Sequence, residues 1–123
     1  MAPMICLTLP YPPTTNNLFV NVGKGRKKST EYRAWLDRAG LEIMAQRPQL
    51  ATRNIAGAYT FSLVAERPDR RRRDLSNLCK PVEDLLVSMG LLSDDSDAES
   101  IELRWSGIEP KKPGRVHVTV TPI

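Results

Sequence analysis

Histidine is almost missing from this chain: one residue of 123, His117, and cysteine occurs only at Cys6 and Cys79. The two thiols lie far apart with no CxxC or Cys/His spacing, which excludes a structural zinc site. They read as free, partly buried thiols in a reducing cytoplasm. His117 falls in the alternating segment Val116–Val120 and reads as structural, so general-base chemistry built on histidine has little to work with. Aromatic residues make up 6% of the chain, and no segment carries the aromatic motif with which RNA-recognition sheets stack bases. No apolar run approaches the roughly 20 residues that cross a bilayer, and no basic N-terminal stretch leads into a long apolar one. A cytoplasmic protein with no membrane partner is expected. Gly23-Lys24-Gly25 is a GxG, but the third glycine of a dinucleotide fingerprint would fall at Lys28, and Walker spacing is absent.

Charge is plentiful and unevenly placed. Lys and Arg outnumber Asp and Glu by 18 to 14, giving a net charge of +4 and a lean towards anionic partners. The cations gather in three clusters: Lys24, Arg26, Lys27 and Lys28; Arg70, Arg71, Arg72 and Arg73; and Lys111, Lys112 and Arg115. The length suits one domain, residues 1–123, with a modest core.

Taken in order, Ile5–Leu9 has strand character and Pro10 stops it. Pro10, Pro12, Pro13 and Thr14–Asn17 form a stiff, turn-rich loop. Leu18–Ser29, with two glycines among basic residues, reads as a hairpin or flexible arm, either a mobile basic arm that touches DNA phosphates or a plain solvated loop. Ser29 or Thr30 caps a helix to about Gln46, with Tyr32, Trp35, Leu36, Ala39, Ile43 and Met44 as its core stripe. Pro48–Ile55 is a polar connector. Ala58–Glu66 alternates, putting Tyr59, Phe61, Leu63 and Ala65 on one face of a strand. A second helix starts near Asp74, with Leu75, Leu78, Val82, Leu85, Leu86 and Met89 as its buried stripe. Pro81 either kinks that helix or opens its longer part after a distinct first turn. Gly90 ends it, and Asp94–Asp97 form an acidic turn. Ile101–Trp105 and Val116–Val120 read as alternating strands joined by Gly107–Gly114 as a hairpin. The expected fold is α+β: a small mixed or antiparallel sheet of about four or five strands with two main helices.

The stretch Asp69–Asp95 carries the chemistry. Four arginines, suited to fork-like pairing with phosphate oxygens, run directly into Asp74. Lys80 follows, then an apolar-periodic run, Gly90, and the pair Asp94-Asp95. Phosphodiester hydrolysis needs an activated water and relief of phosphoryl charge, and a divalent ion held by one or two carboxylates supplies both. Cations and carboxylates in one short segment suggest metal-assisted cleavage of a nucleic-acid backbone. The plain reading of the same residues is a helix cap at Asp74, a solvated turn at Asp94–Asp97 and a surface lysine at Lys80.

The segment resembles the central motif of the RusA-type Holliday-junction resolvases, small endonucleases of bacteria and their phages. That motif is roughly a basic run, Asp-x-Asp-Asn-(Leu)-x-Lys, a helix ending in Gly, then Asp-Asp. Asp74, Asn77, Leu78, Lys80, Gly90, Asp94 and Asp95 fall where the family has them, and the Pro-rich, Asn-bearing loop around Asn17 also has its counterpart. Ser76 departs, standing where the commonest pattern has a second Asp. The resemblance implies that Asp74 and Asp95 converge as ligands of Mg²⁺, or alternatively Mn²⁺, and that Lys80 contacts the scissile phosphate or the leaving oxygen. Ser76 offers a neutral, weaker oxygen, with water, Asp84 or Asn77 as other sources. The resemblance also implies branched double-stranded DNA as substrate and a symmetric homodimer that makes paired nicks. The alternative is a non-catalytic junction-binding protein in which Ser76 records loss of the metal.

Overall fold

The chain is described by a computed structural model over residues 4–14, 18–50, 52 and 54–123. Its elements are β1 (Ile5–Pro10), β2 (Phe19–Val22), β3 (Gly25–Lys28), α1 (Thr30–Gln46), β4 (Tyr59–Glu66), α2 (Cys79–Ser88), β5 (Ala98–Trp105) and β6 (Arg115–Pro122). Short 3-10 turns cover Arg47–Gln49, Leu75–Leu78 and Asp95–Asp97.

Period-two alternation builds the centre. Ile5, Leu7 and Leu9 of β1, Tyr59, Phe61, Leu63 and Ala65 of β4, and Val116, Val118 and Val120 of β6 are all buried on one face. The order is β1-β6-β4-β5. β6 runs antiparallel to both β1 and β4, with Leu7 opposite Val118 and Val118 opposite Leu63. β5 runs parallel to β4, a pairing that requires a crossover, and α2 supplies it. Both helices close the apolar face, α1 with Tyr32, Trp35, Ala39 and Ile43, α2 with Val82, Leu85 and Leu86, in one continuous cluster. The α+β fold expected from the sequence is therefore present, with a mixed four-stranded sheet and a separate two-stranded one.

The two margins of the sheet differ. At β1 the Gln46 side chain accepts from the Thr8 N–H (2.9 Å) and donates to the Thr8 carbonyl (2.8 Å). The Trp35 indole donates to the Pro10 carbonyl at 2.9 Å. Both groups occupy backbone positions that a further strand would need. β5 is the other margin, and Glu99, Ser100, Ile101 and Glu102 are all exposed there.

Several expectations need correction. β5 and β6 do not form a hairpin, because β4 lies between them; periodicity identifies a strand but not its neighbour. Nor does β5 alternate cleanly between buried and exposed, since as a margin strand it has only Ala98, Leu103 and Trp105 half-buried. Met44 is 61% exposed: one residue past Ile43, a rotation of about 100° carries it off the core seam. Leu36, Leu75 and Met89 are half-buried rather than core, and Cys6 is exposed. Of the two readings of the second helix, the distinct first turn holds and the kink does not: a 3-10 turn follows Asp74, and the α-helix starts at Cys79 with Pro81 in its first turn. That position tolerates proline, whose missing N–H would have no intrahelical acceptor there. Gly90 stops α2 with φ +77°, and Ser29 caps α1 by accepting from the Tyr32 N–H at 3.0 Å. Among the described residues no helix is long and apolar enough to cross a membrane.

Candidate functional site

α2 is only 10 residues long, about 15 Å, so a short extended return after Gly90 spans it. That return brings Asp95 back to the first turn of the helix. There the Lys80 ammonium lies 3.2 Å from Asp95 Oδ2 and 3.1 Å from Asp84 Oδ1. Hydrogen bonds to Asp84 and then Asp95 raise the Lys80 pKa, which holds its positive charge. Of the adjacent pair, Asp94 accepts from the Ser96 N–H at 2.9 Å, and this holds its carboxyl below the ordinary range. Asp95, at the start of a 3-10 turn rather than in an extended run, faces Lys80.

Asp74 stands immediately before the turn that feeds α2. Its carboxylate caps no backbone N–H, contrary to the plain reading of a helix cap, and instead accepts from the Ser76 hydroxyl at 3.0 Å. The departure at Ser76 therefore places a hydroxyl against Asp74 where a second carboxylate would repel it. Arg72, Arg73 and Asp74 line a shallow hollow of about 430 Å³. Lys80 thus joins Asp84 and Asp95, while the Ser76 hydroxyl joins Asp74. Among the described residues no three His, Cys, Asp or Glu side chains form a ready-made metal cage. The hard oxygens of Asp74 and Asp95 nonetheless suit Mg²⁺, which usually takes one or two carboxylates and fills the rest of its shell with water and phosphate oxygens.

Glu83 was not anticipated. It is 6% exposed, accepts from the Tyr59 hydroxyl at 2.9 Å and from the Cys79 thiol at 3.3 Å. The same hydroxyl lies 3.5 Å from the Asp95 carbonyl. Burial, with the neighbouring Glu83, raises the Tyr59 pKa and pushes the Cys79 thiol up to about 12, so neither ionises near neutrality. Tyr59 and Glu83 thus tie the first strand of the crossover, α2 and the turn bearing Asp95 together from below. The available signal was a Glu beside Val82 on an otherwise apolar face.

The arginine run divides. Arg73 makes a two-pronged bond to Asp69 (Nε–Oδ1 3.1 Å, Nη2–Oδ2 2.7 Å) and lies over the Tyr11 ring. The fork lowers the Asp69 pKa to about 2. Arg73 is thereby a brace for the segment more than a phosphate clamp. Arg71 pairs loosely with Asp69 at 3.3 Å, and Arg70 with Glu109 at 2.7 Å, both guanidiniums being exposed. Arg72 makes no ion pair among the described residues.

The basic arm is a two-residue hairpin of β2 and β3 around Gly23-Lys24. Gly23 has φ +57°, as the first central position of such a turn demands. Lys24, Arg26, Lys27 and Lys28 are exposed; Arg26 stacks 4.7 Å over Phe19, which packs edge-on against Tyr32 at the start of α1. Asn17 lies outside the described residues. His117 is structural in its contacts, bridging Glu66 and the Thr8 hydroxyl across three strands.

Comparison with known proteins bears on most of the chain. The family model for endodeoxyribonuclease RusA matches residues 10–121. The crossover junction endodeoxyribonuclease RusA of Escherichia coli strain K12 is 33% identical over 116 residues, covering 94% of this chain and 92% of that protein. The protein of the same description from Enterobacteria phage 82 matches equally. That of Enterobacteria phage HK97 is 28% identical over 102 residues, 77% of each chain.

Proposed function

Since this chain belongs to the endodeoxyribonuclease RusA family, we propose that it is a Mg²⁺-dependent endonuclease cutting four-way DNA junctions by paired phosphodiester hydrolysis. The observation that carries this reading is the Lys80–Asp95 contact at 3.2 Å, which brings Asp95 back to the helix start that Asp74 precedes. Asp74 and Asp95 would hold the ion, with the Ser76 hydroxyl orienting Asp74. The ion, when bound, lowers the pKa of a water and offsets charge on the phosphoryl oxygens. Lys80 donates to the scissile phosphate or to the oxygen that leaves as the water oxygen bonds to phosphorus. Asp84 keeps Lys80 aimed while DNA displaces its pairing with Asp95. The hairpin cations and Arg70–Arg72 bind backbone phosphates and read shape rather than sequence. Family membership does not favour the non-catalytic alternative. A reducing cytoplasm suits the two free thiols.

Cutting two strands symmetrically needs two sites, and hence a homodimer. We assign its contact to the exposed margin of β5. Antiparallel pairing of two copies about Leu103 sets Glu102 of each against Arg104 of the other, on the solvent face of the sheet.

The test is nicking of a synthetic junction by wild type, Asp74→Asn and Ser76→Asp in Mg²⁺ and in EDTA. Asp74→Asn and EDTA should abolish cutting, and Ser76→Asp should keep or raise it. Equal nicking by wild type and Asp74→Asn would end the proposal.

A further inference from the structure

The third basic cluster, Lys111, Lys112 and Arg115, has no part in the site above, yet the fold sets it against the second. β4 and β6 pair Glu66 with Arg115, so the loop before β6 meets the loop after β4. The Lys111 N–H donates to the Arg67 carbonyl at 3.0 Å, and a turn closes with the Gly114 N–H on the Lys111 carbonyl at 2.8 Å. Gly114, at φ +73°, sits so close to the other loop that a Cβ there would lie 2.8 Å from the Glu66 carbonyl oxygen. Arg67 stacks 4.0 Å over Trp105, fixing the base of the same structure. Lys111 and Lys112 remain exposed, and Arg67, Arg70, Gly107, Ile108, Glu109 and Pro110 line a hollow of about 390 Å³ between the loops.

Segments 66–73 and 109–115 hold eight Lys and Arg against Glu66, Asp69 and Glu109, a net charge of +5 where the whole chain carries +4. The rest of the molecule is slightly acidic in sum. From this merger of two clusters remote in sequence we infer that the loop pair forms a second phosphate-binding surface. It grips a duplex arm of the DNA further from the cut than Asp74. The partner is double-stranded backbone: Lys111 and Lys112 are exposed, and the two rings described beside the loops, Tyr11 and Trp105, lie under Arg73 and Arg67 rather than open to unstacked bases. Arg70 is held by Glu109 in a pair about 80% exposed on both sides, which water and salt weaken, so a phosphate displaces Glu109.

The inference rests on the nuclease reading and has its own test. Binding of wild type to four-way junctions with long and with short arms is measured in EDTA over a range of salt. The Lys111→Ala/Lys112→Ala protein should lose about 1 to 2 from the slope of log affinity against log salt on long arms, and nothing on short arms. Glu109→Gln should steepen the long-arm slope, a gain that a misfolded protein cannot give. Unchanged slopes in both variants, or equal losses on short and long arms, overturn the second surface while leaving the nuclease reading intact. Failure of the nuclease reading shows separately, as nicking that survives Asp74→Asn. Stronger retention of single-stranded RNA than of duplex DNA would also overturn it.

Discussion

Tyr59 and Glu83 are the residues on which the site's support turns. The Tyr59 hydroxyl satisfies a buried carboxylate and lies beside the Asp95 carbonyl. Tyr59→Phe takes away one donor and leaves Glu83, among the described residues, with the Cys79 thiol, a weak one. Removing one partner of a buried polar pair costs about 1–3 kcal/mol, and urea unfolding should register that loss. Asp69 makes a second test. Its folded pKa of about 2 lies below the ordinary 3.8 because Arg73 bonds the ionised form. A depressed carboxyl contributes stability above its unfolded pKa and loses it as pH falls towards the folded value. The Asp69–Arg73 brace should therefore persist to about pH 2, and NMR titration of the Asp69 carboxyl should find its midpoint there; a midpoint near 4 would contradict the fork. Asp74, Lys80 and Asp95 could be picked out as candidates because their order and spacing are unusual together, while the fold-back that sets Asp95 beside Lys80 is a tertiary contact that spacing does not reveal. Glu83 was not, because spacing cannot say that a Glu on an apolar face has found a tyrosine from another element.

At the scale of elements, local signals were reliable and pairings were not. Ser29, Gly90 and the alternation of β4 specified ends and faces correctly, since capping, positive φ and burial are properties of a few neighbouring residues. The segment Gly107–Gly114 misled because hairpin chemistry was read from its glycines and prolines. Gly114 serves instead for close approach to Glu66 and Pro68. Gly114→Ala combines a left-handed backbone, unfavourable by about 1–2 kcal/mol, with a Cβ 2.8 Å from a backbone oxygen. Its melting temperature should fall, whereas Gly107→Ala, equally left-handed at φ +82° but with open space around its Cβ, should fall less. Equal losses in the two variants would mean that the loops are not tightly joined.

For the whole molecule, charge and edges set the orientation of the parts. The excess of cations gathers where β4 ends and β6 begins, beside Asp74, so a polyanion meets the molecule there first. The homodimer proposed through β5 makes a charge-swap prediction. Arg104→Glu replaces two opposite-charge cross-strand pairs with repulsions, and pairs of that kind contribute about 0.2–1 kcal/mol each. Its dimer dissociation constant should rise roughly tenfold, and Glu102→Arg in the same chain should restore it. Sedimentation velocity reads both, and an unchanged constant in Arg104→Glu would place the contact elsewhere. Which surface would pair was not legible in the sequence, because which strand ends up outermost is decided by the crossover and not by the strand itself.

Gln46 gives the molecule a handedness of association. By occupying both main-chain groups of Thr8 it leaves β5 as the margin of the four-stranded sheet on which another chain can be zipped. A sheet joinable along a single side makes couples and not ribbons through that sheet. Gln46→Ala would return the second flank, and slow turbidity on concentration is the cost we expect of that change.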